Sequence, residues 1–211
     1  MESARLRGRF NMDHRLTEQF NVGMVLSGYL QGVFPMAESD GEIYWYGPDP
    51  RCIIPLDNYR PARSLRPVLN RQEFEIRINT EFKAVMTHCS IPRTEDDAMW
   101  ISEEIIEVYT HLHQLGYAHS VEAWKDGELA GGLYGVSLGK VFFGESMFHR
   151  VNNASKVAFH ELVLRLRERK YGLLDSQFIN DNVKRFGAIE IPKAEFLALL
   201  KKNVSLERHF V

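Results

Sequence analysis

Two short stretches hold polar groups where acid–base chemistry would need them. In the run Gly172 to Gln177, strand alternation sets Leu173, Asp175 and Gln177 on one face, the last two Cα atoms about 6.5–7 Å apart. A carboxylate and an amide pointing into one space can orient an attacking amine or polarise a water; the plainer alternative is a satisfied polar pair at a strand end. Asn180 follows, as a further polar group or as the N-cap of the next helix. In the run Lys140 to Phe148, alternation puts Val141, Phe143, Glu145 and Met147 on one face and Phe142, Gly144, Ser146 and Phe148 on the other. Glu145 thus sits among apolar neighbours. There a carboxyl either has a raised pKa through desolvation or is held by a cation or hydrogen-bond donors, unless it is an edge-strand residue facing water.

Arg60, Arg63, Arg66 and Arg71 fall in twelve residues without an acid. A helix there would put Arg60, Arg63 and Arg71 roughly on one side, as a phosphate-binding face or as an ordinary solvated one. Trp45, Tyr46 and Trp100 have the ring systems to stack on bases, although such rings are more often core. Other motifs fail. Gly135-x-x-x-Gly139-Lys140 is one residue short of a P-loop and continues with Val141 where Ser or Thr would hold magnesium. His111 and His113 would point to different sides of a helix, so no metal site is expected, and there is no Gly-x-Ser-x-Gly nucleophile elbow.

With 26 Lys+Arg against 28 Asp+Glu the formal net charge is −2, so any polyanion site must be local. At 211 residues and 45% hydrophobic, the chain has the makeup of a globular protein of one or two domains rather than a disordered or fibrous one. Cys52 and Cys89 are the only thiols and form no C-x-x-C pair, which fits a reducing cytoplasm. The N-terminal stretch carries Arg5, Arg7, Arg9 and Arg15 without a signal-peptide apolar run, and no segment is apolar enough to span a membrane. The expectation is a cytoplasmic protein.

The elements that must position these residues read as follows. A helical pattern through Phe20, Met24, Val25 and Tyr29 and an aromatic, turn-rich stretch to Arg51 suggest a small N-terminal domain, residues 1–57; Pro55 and Pro61 bracket a linker, and residues 58–211 form the second domain. From Arg60 the order is helix, strand (Phe74, Ile76, Ile78), a helix opened by Thr80, and a helix from Ser102 closed by Gly116. Three strands follow, His119 to Trp124, Leu129 to Val136 and Lys140 to Phe148, joined by hairpin-length turns. A helix over Ala154 to Arg169, the Asp175 strand, a short helix ending at Gly187 and a Pro192-led helix complete the chain. This is the element order of the acetyltransferase-like α/β (α+β) fold, with a mostly antiparallel mixed sheet.

Long strings carry a resemblance to a known family: Gly32-Val33-Phe34-Pro35-Met36-Ala37, Tyr44 through Arg51, Ala118-His119-Ser120-Val121-Glu122, Gly131 through Val136, Phe142 through Phe148, Asn153-Ala154-Ser155-Lys156, Leu174-Asp175-Ser176-Gln177 and Phe186-Gly187-Ala188. In order, over about residues 22 to 200, they resemble leucyl/phenylalanyl-tRNA–protein transferases. The resemblance implies transfer of Leu or Phe, and sometimes Met, from aminoacyl-tRNA to the α-amino group of proteins beginning with Lys or Arg, which marks them for N-end-rule degradation.

It also implies roles. Asp175, Gln177, Glu145 and Asn180 match the proposed catalytic network, Leu133, Phe142, Met147 and Leu174 an apolar amino-acid pocket, and Trp45 and Trp100 positions near the terminal adenosine, with Tyr46 adjoining. The arginine run becomes a tRNA acceptor-stem contact. The usual acyl-CoA pyrophosphate loop is not evident, so no coenzyme A, metal or other cofactor is expected; an aminoacyl ester is already activated and needs only an oriented amine and a stabilised oxyanion. Two other classes of reading keep part of this pattern: an acyl-CoA-dependent N-acyltransferase, and a tRNA-binding module without catalysis.

Overall fold

A computed structural model describes residues 9–10, 20–92 and 100–211. Arg5, Arg7 and Arg15 of the basic N-terminal stretch lie outside the described residues. No helix among the described residues is long and apolar enough to cross a membrane.

Helix α1 (Val22–Leu30) begins at Asn21, whose side chain accepts the Met24 N–H at 3.1 Å and so replaces a bond that the first turn lacks. Beside it, strands β1 (Arg9–Phe10), β2 (Phe34–Ala37) and β3 (Ile43–Tyr46) form a small antiparallel sheet in the order β1-β3-β2. A Cβ on Gly28 of α1 would lie 2.1 Å from the Trp45 ring, so only glycine lets helix and indole approach this closely.

The main sheet has seven strands in the order β10-β4-β9-β8-β7-β6-β5. They are β4 (Arg51–Ile53), β5 (Glu75–Ile78), β6 (Ala118–Lys125), β7 (Glu128–Leu138), β8 (Val141–His149), β9 (Leu173–Gln177) and β10 (Ile189–Ile191). Every pairing is antiparallel except β8 with β9. The mixed, mostly antiparallel α/β sheet is thus as expected, and so is the meander β6-β7-β8. Its first turn carries Asp126 and Gly127 at φ +53° and +82°, the left-handed pair that matches strand twist. Strand β4, which precedes the proline-bracketed stretch, pairs in this main sheet.

Helices cover both faces. On one lie α1, α3 (Phe82–Ser90), α4 (Glu103–Gln114) and α7 (Lys193–Asn203), with a core that includes Val25, Val85, Ile105, Phe143 and Phe196. On the other lie α2 (Arg66–Asn70) and α5 (Ala154–Glu168), with a core that includes Val68, Phe142, Phe159, Leu162 and Phe210. The short helix α6 (Asp181–Lys184) sits between β9 and β10 in sequence.

Three expectations need correction. No helix starts at Arg60: α2 begins at Arg66 with Pro67 in its first turn, because a helix from Arg60 would bury that proline in its interior, where it removes a bond and clashes. The next helix is opened by Glu81 rather than Thr80 and runs from Phe82, and the backbone N–H groups of Thr80 and Glu81 both turn to the Glu122 carboxylate, 2.9 Å away. Strict alternation also fails in β8. Opposite Tyr134 and Gly135 the register jumps from Ser146 to Gly144, so Glu145 is the extra residue of a β-bulge. Met147 then joins Phe142 on one core and Phe148 joins Phe143 on the other, the reverse of the expected grouping.

Candidate active site

The site forms where the sheet splits. β8 and β9 pair in parallel only as far as Phe143 opposite Asp175, then part. The bulge bends β8 away there and turns Glu145 toward the cleft, which holds a cavity of about 280 Å³. Its walls include Leu133, Met147, Phe159, Leu174 and Phe186 on the α5 side, and Phe34, Met36, Trp100 and Phe178 on the other; Glu145, Asp175, Gln177 and Asn180 supply polar groups.

Asp175 is fully buried and so is Arg51 of β4, its bidentate partner: Nε donates to Oδ1 at 2.9 Å and Nη2 to Oδ2 at 2.6 Å. The guanidinium lies between the Phe34 and Phe196 rings, 4.8 and 4.5 Å from their centroids, and gives Nη1 to the Gly32 carbonyl. Asp175 Oδ1 also accepts the Gln177 backbone N–H at 3.1 Å. This bond helps to hold Gln177 at φ +54°, a left-handed backbone that costs a non-glycine residue about 1–3 kcal/mol and recurs at functional sites.

Gln177 Nε2 donates to Glu145 Oε1 at 2.8 Å, and the Tyr29 hydroxyl donates to the same oxygen at 2.6 Å; Tyr109 adjoins Tyr29, O to O, at 2.6 Å. The Gln177 amide is thereby fixed with its carbonyl oxygen unpaired among the described residues. Desolvation pushes the Glu145 carboxyl up to about 8, against the lowering pull of the Tyr29 bond. Burial, then the nearby Glu145, likewise raises the Tyr29 hydroxyl well above its usual value. The Tyr134 hydroxyl is buried beside the cavity with no partner among the described residues.

The structure gathers most of the expected site residues here: Glu145, Asp175, Gln177, Leu133, Met147, Leu174 and Trp100 all line the cavity. Asn180 does too, but its Oδ1 is engaged as the α6 N-cap, accepting from Asn182 and Val183 at 2.9 and 3.1 Å. Three residues stand off the wall. Phe142 is fully buried in the α5-side core, 5.2 Å from the Phe210 ring. Trp45 is 2% exposed and fills the space over Gly28. Tyr46 packs behind Phe34 and Phe178, its hydroxyl donating to Glu38.

The arginine run does not form one face. Arg60, Arg63, Arg66 and Arg71 are all exposed, yet Arg60 and Arg63 precede α2, and Arg71 pairs with Glu73 at 2.7 Å. Arg60 alone of the four lines a second cavity, next to the first. Sequence reasoning missed Arg51, Tyr29 and Tyr109 as site residues. Arg51 ends one of the resemblance strings, which was a usable signal; Tyr29 read as a core helix position, and nothing in its spacing announced a carboxyl 116 positions away.

A half-buried carboxyl pushed up to about 8, an oriented amide and an adjoining apolar cavity, set in the split of a mixed α/β sheet, are the parts of an enzyme that passes an acyl group to an amine. Comparison with known proteins narrows the class. Residues 53–201 match the family model for leucyl/phenylalanyl-tRNA protein transferase and residues 18–49 the model for its N-terminal domain. A leucyl/phenylalanyl-tRNA–protein transferase of Herpetosiphon aurantiacus is 50% identical over 196 residues, 92% of this chain and 100% of that protein. Those of Gloeobacter violaceus and Rhodopseudomonas palustris are 50% identical over 188 residues (89% of this chain, 95% of that one) and 46% over 200 (94% and 89%). The chain belongs to the leucyl/phenylalanyl-tRNA protein transferase family.

Proposed function

We propose that this protein is an aminoacyltransferase that moves leucine or phenylalanine, and also methionine, from its tRNA ester to the α-amino group of a protein whose first residue is Lys or Arg, marking that protein for degradation in the cytoplasm. One observation carries the chemistry: the Glu145–Gln177 hydrogen bond at the edge of an apolar cavity.

In this reading the donor side chain enters between Leu133, Met147 and Leu174, and its ester carbonyl lies at the cleft. The acceptor nitrogen donates a hydrogen bond to the Gln177 carbonyl oxygen, which has no partner among the described residues, and the nitrogen lone pair is thereby aimed at the ester carbon. An amide is too weak a base to keep a proton. Glu145 is better matched, because a carboxyl near 8 and an α-amino group at about 7.7–8.0 exchange a proton at little cost. As the N–C bond forms and the ester C–O bond breaks, the amine's proton passes through Glu145 to the departing ribose oxygen. Asp175 and Arg51 act indirectly by holding the Gln177 backbone. Apolar walls separate side chains differing by a methylene by only about 1–3 kcal/mol, consistent with a pocket that takes Leu, Phe and Met unequally.

The test is transfer of labelled leucine from Leu-tRNA to two peptides alike except for a first residue of Arg or Ala, without ATP or coenzyme A. Label on the Arg peptide alone supports donor, reaction and acceptor rule together. No label on either, from folded protein that binds the charged tRNA, rejects the reading.

A further inference from the structure

Helix α5 is the longest among the described residues, and it starts bare. Its N-cap, Asn153, has φ +69° and offers the helix no side-chain bond; its Oδ1 accepts Lys156 Nζ at 3.2 Å instead. Helices α1, α4 and α6 are capped by Asn21, Ser102 and Asn180. No acid stands in the first turn of α5. The N–H groups of Ala154 and Val157 reach Val151 O and Asn153 O, whereas those of Ser155 and Lys156 have no partner among the described residues.

A second observation is independent of the helix end. Ser155 is only 6% exposed and its hydroxyl has no partner among the described residues, yet it lines a cavity of about 570 Å³. Arg60, Lys156 and Arg185 line the same cavity, and no carboxylate among the described residues does. Three cations and the positive end of a helix, with no carboxylate among the described lining residues, make this cavity favourable for an anion. This cavity meets the first at Met147, Asn182 and Phe186.

We propose that the N-terminus of α5 is a phosphate-binding site, and that its occupant during transfer is an internucleotide phosphate of the donor's 3′-terminal nucleotides. The second half rests on the reading of the donor as aminoacyl-tRNA. The Ser155 and Lys156 N–H groups and the Ser155 hydroxyl donate to the phosphate oxygens, and Lys156 Nζ turns from Asn153 to the anion. An RNA strand esterified at the Gln177 cleft must carry its charged backbone past the rim, and the rim at Met147 opens into this basic cavity. The contact reads backbone, not base.

The experiment follows the Ser155 and Lys156 amide resonances of 15N-labelled protein during titration with the dinucleotide CpA, with adenosine and with inorganic phosphate. CpA should move both; adenosine, which has no phosphate, should move neither; and Lys156→Ala should weaken CpA binding about tenfold. In transfer assays, Lys156→Ala should raise the KM for Leu-tRNA about tenfold more than that for 3′-O-leucyl-adenosine, and lower the salt slope for Leu-tRNA by about 1. Equal responses to CpA and adenosine, or equal KM changes for the two donors, overturn the site. Inorganic phosphate binding as tightly as CpA overturns the RNA half. CpA binding with no transfer by the wild-type protein from either donor leaves the phosphate site standing and rejects the transferase reading instead.

Discussion

Asp175 and Glu145 line the same cavity, on neighbouring strands, and the protein treats them in opposite ways. Asp175 receives a buried arginine in bidentate contact, plus a backbone N–H. Glu145 receives two neutral donors on one oxygen and no cation in direct contact among the described residues, so desolvation pushes its carboxyl up to about 8 against the weaker lowering pull of the Arg51 charge. In the proposed reaction two carboxyls in one cleft thus divide the work: the ion-paired one is scaffold, and the one without a direct ion pair exchanges the proton.

The largest expected effect breaks the scaffold half. Asp175→Asn strands Arg51 in the interior, and breaking a buried pair from one side costs about 3–5 kcal/mol, to be read from the urea midpoint. The double change Arg51→Met with Asp175→Leu should restore most of that stability, because no lone charge remains, yet not transfer, because Gln177 loses its anchor. Recovery of both would mean that the pair only fills space.

Gln177→Ala comes next, with transfer falling about 10²-fold in a protein whose urea midpoint barely moves. Wild-type rates would remove Gln177 from the reaction.

Glu145→Gln sharpens the other half. The folded pKa of about 8 exceeds the roughly 4.3 of an unfolded glutamate, so between these values the folded protein holds a proton that the unfolded chain has released, and stability falls as pH rises through that window. The Gln variant should lose this decline between pH 5 and 8.5, and an unchanged decline would assign it to another group. The smallest effect is Tyr29→Phe, which removes a donor that holds the Glu145 pKa down and should move it further upward.

Much of this site was legible in the sequence, and the failures have separate physical causes. The hairpin chemistry around Asp126-Gly127 and the period-2 run after it are local, so the meander was readable. Glu145 stood out as a carboxylate in an apolar strand, and so did the Asp175–Gln177 spacing. The bulge did not: one extra residue is a property of pairing with β7, and it moved Met147 and Phe148 to opposite cores from those alternation assigns. Trp45 and Trp100 are chemically alike, but only Trp45 faces a glycine that lets it sink into the core. The spacing of the arginine run suggests a helix from Arg60, but Pro67 is tolerated only in a first turn and so starts α2 late. Arg51, Tyr29 and Tyr109 come from other elements entirely, and their roles exist only once the fold has brought them to Asp175 and Glu145.

The division between the two acids is tested most directly by following the side-chain carboxyl carbon of 13C-labelled glutamate through a pH titration, with Glu145→Gln to assign the resonance. A single carboxyl titrating near pH 8 that disappears in the variant is the expected result. A Glu145 resonance that titrates below pH 5 with the other glutamates would make it a second structural anion and remove the proton-exchange role given to it here.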